Sequence, residues 1–258
     1  MDLASAGRAS DLLSSLFLGT ATDRPVIGIP EQYRPTSFAD VQLILDGLIE
    51  RLGQPVQGWK LYFPFKAGQP NLIAPIFNVL PSGGRITAEM SRLRIWEPEI
   101  VFRAKSDLPP REEPYSYEEV AQATEAAPAI EFLATRYDVD DLDEIAGRTF
   151  ERYSDNTLSG GFVVGDPYSD WRTVDFNKMR IVSQMDGGIV GDIRGGHPVV
   201  DPFILVFVGV NTARERHGIR AGQVLATLSP SVLLYAKPNA KVEATFEGLG
   251  YVSAAYDY

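Results

Sequence analysis

Trp96-Glu97-Pro98-Glu99-Ile100-Val101-Phe102 reads as a β-strand whose two glutamates, two residues apart, face the same way. A pair of anions on one face beside isoleucine, valine and phenylalanine is costly unless positive charge lies between them. Pro98 brings no N–H to a ladder, so it marks a strand start, an edge or a bulge, places that aim side chains into a site. A second stretch, Ala129-Ile130-Glu131-Phe132-Leu133-Ala134, sets a lone carboxylate in an otherwise apolar strand. Three carboxylates without cysteine or histidine nearby are hard donors, suited to Mg²⁺ or Mn²⁺ with coordination positions left for water and substrate. The same pattern also permits Glu97 and Glu99 to face solvent at a strand edge, and Glu131 to pair with an arginine.

Working outward, the chain is mostly short β-like runs bounded by turn formers: residues 99–102, 129–134, 162–164, 180–182, 224–228 and 242–246. Two helices interrupt them, near 116–124 and 199–217. Before these, residues 37–52 place Val41, Ile44, Leu45, Leu48, Ile49 and Leu52 at helical spacing, with Ser37 as N-cap and Gly53 as stop. Residues 56–63 read as a strand, and a Pro/Gly-rich loop region follows to about Gly84. The pattern is that of an α+β protein: a small helical N-terminal region, residues 1–54, and a mixed, largely β domain, residues 55–258.

Composition narrows the function. The chain has 258 residues with a formal net charge of -10 and no Lys/Arg cluster, which disfavours nucleic acid and anionic membrane as partners. It contains no cysteine, which excludes disulfides, thiolate metal sites and cysteine nucleophiles, and fits a reducing cytoplasm. No apolar run reaches membrane-spanning length. The apolar stretch 12–18 is short and interrupted by Ser14 and Ser15, and reads as a surface helix rather than a leader. The nucleotide-binding, zinc-protease and serine-hydrolase motifs are missing. Lys60, in Gly58-Trp59-Lys60-Leu61-Tyr62, is a single charge in a strand-like run. It reads either as a desolvated lysine of lowered pKa, fit for acid/base work, or as a lysine snorkelling to solvent. His197, in Gly195-Gly196-His197-Pro198, reads as a capping or structural residue, and Asp155-Asn156 as a loop.

Taken in order, these segments resemble the 2-keto-4-pentenoate hydratase and 4-oxalocrotonate decarboxylase families of the fumarylacetoacetate hydrolase superfamily. The landmarks are Gly58-Trp59-Lys60, Glu97-Pro98-Glu99-Ile100-Val101-Phe102, Pro128-Ala129-Ile130-Glu131 with Arg136, Ser154-Asp155-Asn156 and Gly160-Gly161-Phe162-Val163-Val164-Gly165. They continue through Gly196-His197-Pro198, Gly218-Ile219-Arg220-Ala221-Gly222-Gln223-Val224-Leu225 and Phe246-Glu247-Gly248-Leu249-Gly250. The likeness spans roughly residues 40 to 258.

The resemblance implies a mixed fold of the fumarylacetoacetate hydrolase type with a metal site at the mouth of a twisted sheet, and a homo-oligomer. It implies Mg²⁺ or Mn²⁺ on Glu97, Glu99 and Glu131, Lys60 as acid/base, and Ser159 as a residue of the active-site wall. The implied substrate is a small 2-oxo or 2-hydroxy carboxylic acid of the kind met in aromatic catabolism. The implied activity is a hydratase forming a 4-hydroxy-2-oxo acid, with a decarboxylase of a 4-oxalocrotonate-like diacid as its alternative. A carbon–carbon hydrolase ranks lower, because both histidines lie late in the chain. A non-catalytic metal-binding partner of another pathway enzyme is the remaining alternative. Two departures stand out. Ile76 occupies the position of an expected aspartate that positions or activates water, and Thr227-Leu228-Ser229-Pro230-Ser231 lacks an expected glycine.

Overall fold

The computed structural model describes residues 1–62 and 70–258. Helix α1 (Leu3–Phe17) packs on α2 (Phe38–Leu52). The α2 boundaries follow from its ends: Ser37 Oγ accepts from Asp40 N at 3.2 Å, and Gly53 adopts φ 58°. Its stripe of Val41, Ile44, Leu45 and Leu48 is fully buried, each side chain contributing about 1.5–3 kcal/mol. The stretch 12–18 is more than a surface helix: it ends a longer one that buries Leu13 and Leu16 against α2.

Two sheets follow. Their strands are β1 (Gly58–Tyr62), β2 (Leu72–Ile76), β3 (Val79–Pro81), β4 (Gly84–Ile86), β5 (Ile95–Ala104), β6 (Thr124–Leu133) and β7 (Ser159–Val164). They continue with β8 (Arg180–Met185), β9 (Gly188–Arg194), β10 (Val224–Ala226), β11 (Leu234–Tyr235), β12 (Lys241–Phe246) and β13 (Gly250–Tyr256). The larger sheet runs β2-β1-β10-β5-β6-β7-β3, with β11 added to β5; the smaller runs β4-β13-β12-β8-β9. Helices α3 (Tyr117–Gln122), α4 (Thr149–Ser154) and α5 (Phe203–Arg214) sit in the connections. This is the mixed α+β fold expected, with one correction. The described part of the supposed loop region before Gly84 holds β2 and β3, apolar runs that Pro75 and Pro81 disguised. Helix α5 is shorter than expected at both ends: it begins after Pro202, where Asp201 accepts from Phe203 N at 3.0 Å, and it stops at Arg214. Phe63, the expected end of the first strand, lies outside the described residues.

The larger sheet curls, bringing β2 near β7. Its inward face collects Ile76, Val101, Ala127, Ala129, Phe162, Val224 and Ala226 from five strands into one buried cluster. Close approach requires glycine at Gly58, where a Cβ would stand 2.3 Å from the Val224 carbonyl of the parallel neighbour β10.

Candidate metal centre

Alternation along the strands carries the inward face to its charged end. On β5, Glu97 and Glu99 precede Val101 on the same face; on β6, Glu131 follows Ala127 and Ala129, and it lies directly opposite Glu97. One ligand oxygen from each of Glu97, Glu99 and Glu131 falls within 4.8 Å of the others. Lys60, on β1 opposite Ala226, donates from Nζ to both Glu131 oxygens at 2.8 and 3.0 Å, and to the Thr157 carbonyl at 3.3 Å. Four of the five site residues expected from the sequence, Lys60, Glu97, Glu99 and Glu131, thus meet at one place.

Each carboxylate is held differently. Glu99 Oε1 accepts from the backbone N–H groups of Thr227 and Leu228 at 2.7 and 2.8 Å, while its Oε2 is buried without a partner among the described residues. Leu228 presents its N–H from a left-handed backbone, φ 83°, in the segment where a glycine was expected. Leucine therefore carries a conformation that glycine adopts without strain. His197 braces this turn: Nε2 donates to the Leu228 carbonyl at 3.1 Å, and Nδ1 accepts from the Val199 N–H at 3.2 Å. Burial pulls the His197 pKa below its ordinary value, the direction that favours the neutral ring these two bonds need.

On the other side, Asn156, Thr157 and Leu158 all have positive φ (52°, 53° and 59°). Three consecutive left-handed residues that are not glycine need an external hold. Asp155 supplies it by accepting from Thr135 Oγ1 at 2.8 Å and from Arg136 N at 2.9 Å, and the Arg136 guanidinium donates to the carbonyls of Ala134 and Ser159. The turn so fixed brings the Thr157 carbonyl to Lys60. Ser159 is buried beside it, and its hydroxyl has no partner among the described residues; no hydrogen bond joins it to Lys60 or to the three glutamates. Asn156 Oδ1 is likewise buried and unpartnered.

The electrostatics are those of a site short of positive charge. Burial, and then the neighbouring Glu131, push Glu97 up to about 8 and Glu99 well above the usual carboxylate range. Lys60 corrects the expectation of a lowered pKa: burial does lower it, but Glu131, Glu99 and Glu97 outweigh burial and the net direction is up. Three carboxylates face one ammonium: Glu131 pairs with Lys60, while burial leaves Glu97 and Glu99 protonated unless positive charge arrives, and their two ionised charges would match one divalent cation. Ile76 is fully buried in the apolar cluster and brings no acid to the site.

The backbone donors at Thr227 and Leu228 and the left-handed turn at 156–158 had no sequence signal of their own. The missing glycine near Leu228 was the one hint.

No family model and no curated protein sequence matches the chain. Solved structures do. The 4-oxalocrotonate decarboxylase from Pseudomonas putida G7, complexed with calcium and acetate or with magnesium and adipate, is similar at 18% identity and TM-score 0.75, over 99% of this chain and 98% of that one. A structure from Oleispira antarctica, assigned to the fumarylacetoacetate isomerase/hydrolase group, is similar at 16% identity and TM-score 0.52, over 75% of this chain and 84% of that one. No described helix is long and apolar enough to cross a membrane. The chain has the fumarylacetoacetate hydrolase type of fold, in the form that the Pseudomonas putida decarboxylase shares from end to end.

Proposed function

We propose that the chain is a divalent-metal-dependent lyase acting on a 2-oxo acid through its enolate, and that the reaction is a decarboxylation. The observation that carries this reading is the glutamate trio, Glu99 and Glu131 buried and Glu97 partly so, with one ammonium for three carboxylates and the unpartnered Glu99 Oε2. An all-oxygen donor set of this kind fits a hard cation. The Pseudomonas putida decarboxylase is complexed with a divalent cation and a carboxylate in both of its structures, a pairing that this donor set also fits. Bound to Glu97, Glu99 and Glu131, Mg²⁺ or Mn²⁺ would supply Lewis acidity that draws electrons from the 2-oxo group.

The chain's own residues do the rest. Glu99 is held by two backbone N–H groups, so one oxygen stays committed to the protein and the other to the site. Ser159, whose buried hydroxyl has no partner among the described residues, donates a hydrogen bond to the acid's carboxylate. In the bond-breaking step the carbon–carbon bond to the departing carboxylate cleaves. Its electron pair passes through the conjugated double bond to the 2-oxygen, and carbon dioxide leaves. Lys60 Nζ then gives a proton to the enolate, and Glu131, 2.8 Å away, keeps the ammonium aligned. Positive charge placed among the carboxylates lowers the Lys60 pKa toward the range useful for this transfer.

Decarboxylation is preferred to hydration because of Ile76. Adding water needs a group that takes its proton, and the residue at the expected aspartate position is packed against Val101, Phe162 and Ala226. The hydratase forming a 4-hydroxy-2-oxo acid stands second, favoured by the Lys60–Glu131 pair, in which one group can accept a proton while the other donates.

The test is proton–deuterium exchange at C3 of a 2-oxo acid, followed by NMR with Mg²⁺ and then with chelator. Exchange that requires the metal, and that falls by about 10²–10⁴-fold in Lys60→Met with Mg²⁺ binding retained, is expected. Exchange unchanged by chelator or by Lys60→Met would remove the reading. Release of carbon dioxide rather than a hydrated acid from an unsaturated 2-oxo diacid separates the two reactions.

A further inference from the structure

Of the three glutamates, Glu99 is the one aimed by backbone: the N–H groups of Thr227 and Leu228 reach its Oε1 at 2.7 and 2.8 Å. Both donors lie just past the end of β10, and the turn that carries them is fastened to β5 on either side of Glu99. Thr227 Oγ1 donates to the Ile100 carbonyl at 2.6 Å, and Ser229 Oγ donates to the Pro98 carbonyl at 2.8 Å. A third fastening comes from outside the sheet, where His197 Nε2 donates to the Leu228 carbonyl at 3.1 Å. The direction of Glu99 Oε2 therefore depends on a turn, and the turn on these side-chain bonds.

The local backbone is shaped to deliver the third fastening. His197 lies between β9 and α5, just after Gly195 and Gly196, which both have positive φ (63° and 84°). A Cβ at Gly195 would stand 2.2 Å from the Asn177 carbonyl, so only glycine passes there. The Val199 N–H donates to His197 Nδ1 at 3.2 Å, which leaves the ring proton on Nε2, the nitrogen that meets Leu228. Leu228 needs such a partner, because it holds φ 83° without being glycine. Without the brace the turn relaxes, and the pair of N–H groups on Glu99 moves with it.

We propose that His197 is a positioning residue of the metal centre, acting through the Leu228 backbone on Glu99, and that this brace makes the site select Mg²⁺ over the larger Ca²⁺. The inference rests on the reading of Glu97, Glu99 and Glu131 as metal ligands, and not on the reaction assigned to them. Mg²⁺ demands near-octahedral oxygens at about 2.0–2.1 Å, whereas Ca²⁺ accepts a looser arrangement at about 2.3–2.6 Å. Loosening one carboxylate therefore penalises the smaller ion more. Residues that orient a ligand from behind typically set about 10- to 100-fold in metal affinity.

Displacement of bound Mn²⁺ by Mg²⁺ or by Ca²⁺, followed by electron paramagnetic resonance, gives both affinities without any substrate. In His197→Ala the Mg²⁺ affinity is expected to fall by about 10- to 100-fold and the Ca²⁺ affinity by about threefold, so the ratio shifts toward Ca²⁺. His197→Gln, whose amide N–H takes the place of Nε2–H, restores most of the ratio. Ser229→Ala removes a different fastening of the same turn and shifts the ratio the same way by a smaller amount. That variant decides the matter if His197→Ala does not fold. A wild-type ratio in the folded variants, even with both affinities lowered by one common factor, would overturn the proposal. So would a His197→Gln protein no more selective than His197→Ala. Absence of Mn²⁺ binding by the wild type would remove the metal centre and the brace with it. Absence of C3 exchange, with the shift in ratio intact, would remove the enolate chemistry and leave the brace standing.

Discussion

The inward face of the larger sheet is apolar at one end, where Ile76, Val101, Phe162 and Val224 close on one another, and ionic at the other, where Lys60, Glu97, Glu99 and Glu131 meet. The same strands and the same alternation build both ends; Glu99 and Val101 are neighbours on one face of β5. The apolar end removes surface from water and stabilises the fold. The ionic end desolvates carboxylates that repel one another, a cost of several kcal/mol per ion before compensation. The fold tolerates a destabilising mouth because its floor is close-packed, and the difference marks the mouth as the place where a ligand, rather than the protein, completes the interactions.

Mutating the two ends should give opposite signs. At the floor, Phe162→Ala removes a fully buried ring and is expected to cost about 3–5 kcal/mol, read as a lower midpoint in urea unfolding. Loss of metal affinity with no loss of stability in that variant would break the comparison. At the mouth, Glu97→Gln removes a carboxyl that folding forces to take up a proton at neutral pH, and should raise thermal stability in chelator, by a smaller margin of about 1 kcal/mol or roughly 2–4 °C. The pH dependence sharpens this. Burial and Glu131 raise Glu97 from the ordinary 4.5 to about 8 in the folded state, so between those values the folded chain holds a proton that the unfolded chain has lost. Metal-free stability from this group is therefore full below 4.5 and declines as pH rises toward 8, and Glu97→Gln should flatten the decline. A slope of the opposite sign in chelator, or one unaltered in Glu97→Gln, would contradict the electrostatic account.

Much of this was legible in the sequence where the signal is local. Ser37 and Gly53 bracket α2 because caps are single-residue signals, and the i, i+2 spacing of Glu97 and Glu99 fixes their shared face once a strand is granted. Strands β2 and β3 were hidden by Pro75 and Pro81, which read as loop residues but sit within short strands. The Lys60 pKa was misread because the sequence shows its apolar neighbours on β1 and not the three carboxylates that arrive from β5 and β6. The hold on Glu99 was invisible because it is made by backbone N–H groups more than a hundred residues away, on a turn whose left-handed residue is a leucine.

The central claim is that Glu97, Glu99 and Glu131 together hold one divalent cation, and titration with Mn²⁺ followed by electron paramagnetic resonance tests it most directly. The account predicts a single saturable Mn²⁺ per wild-type chain, displaced by Mg²⁺, and its loss in Glu99→Gln, which keeps the shape of the side chain but not its charge. Undiminished Mn²⁺ binding by folded Glu99→Gln protein, or no saturable binding by the wild type, would contradict it.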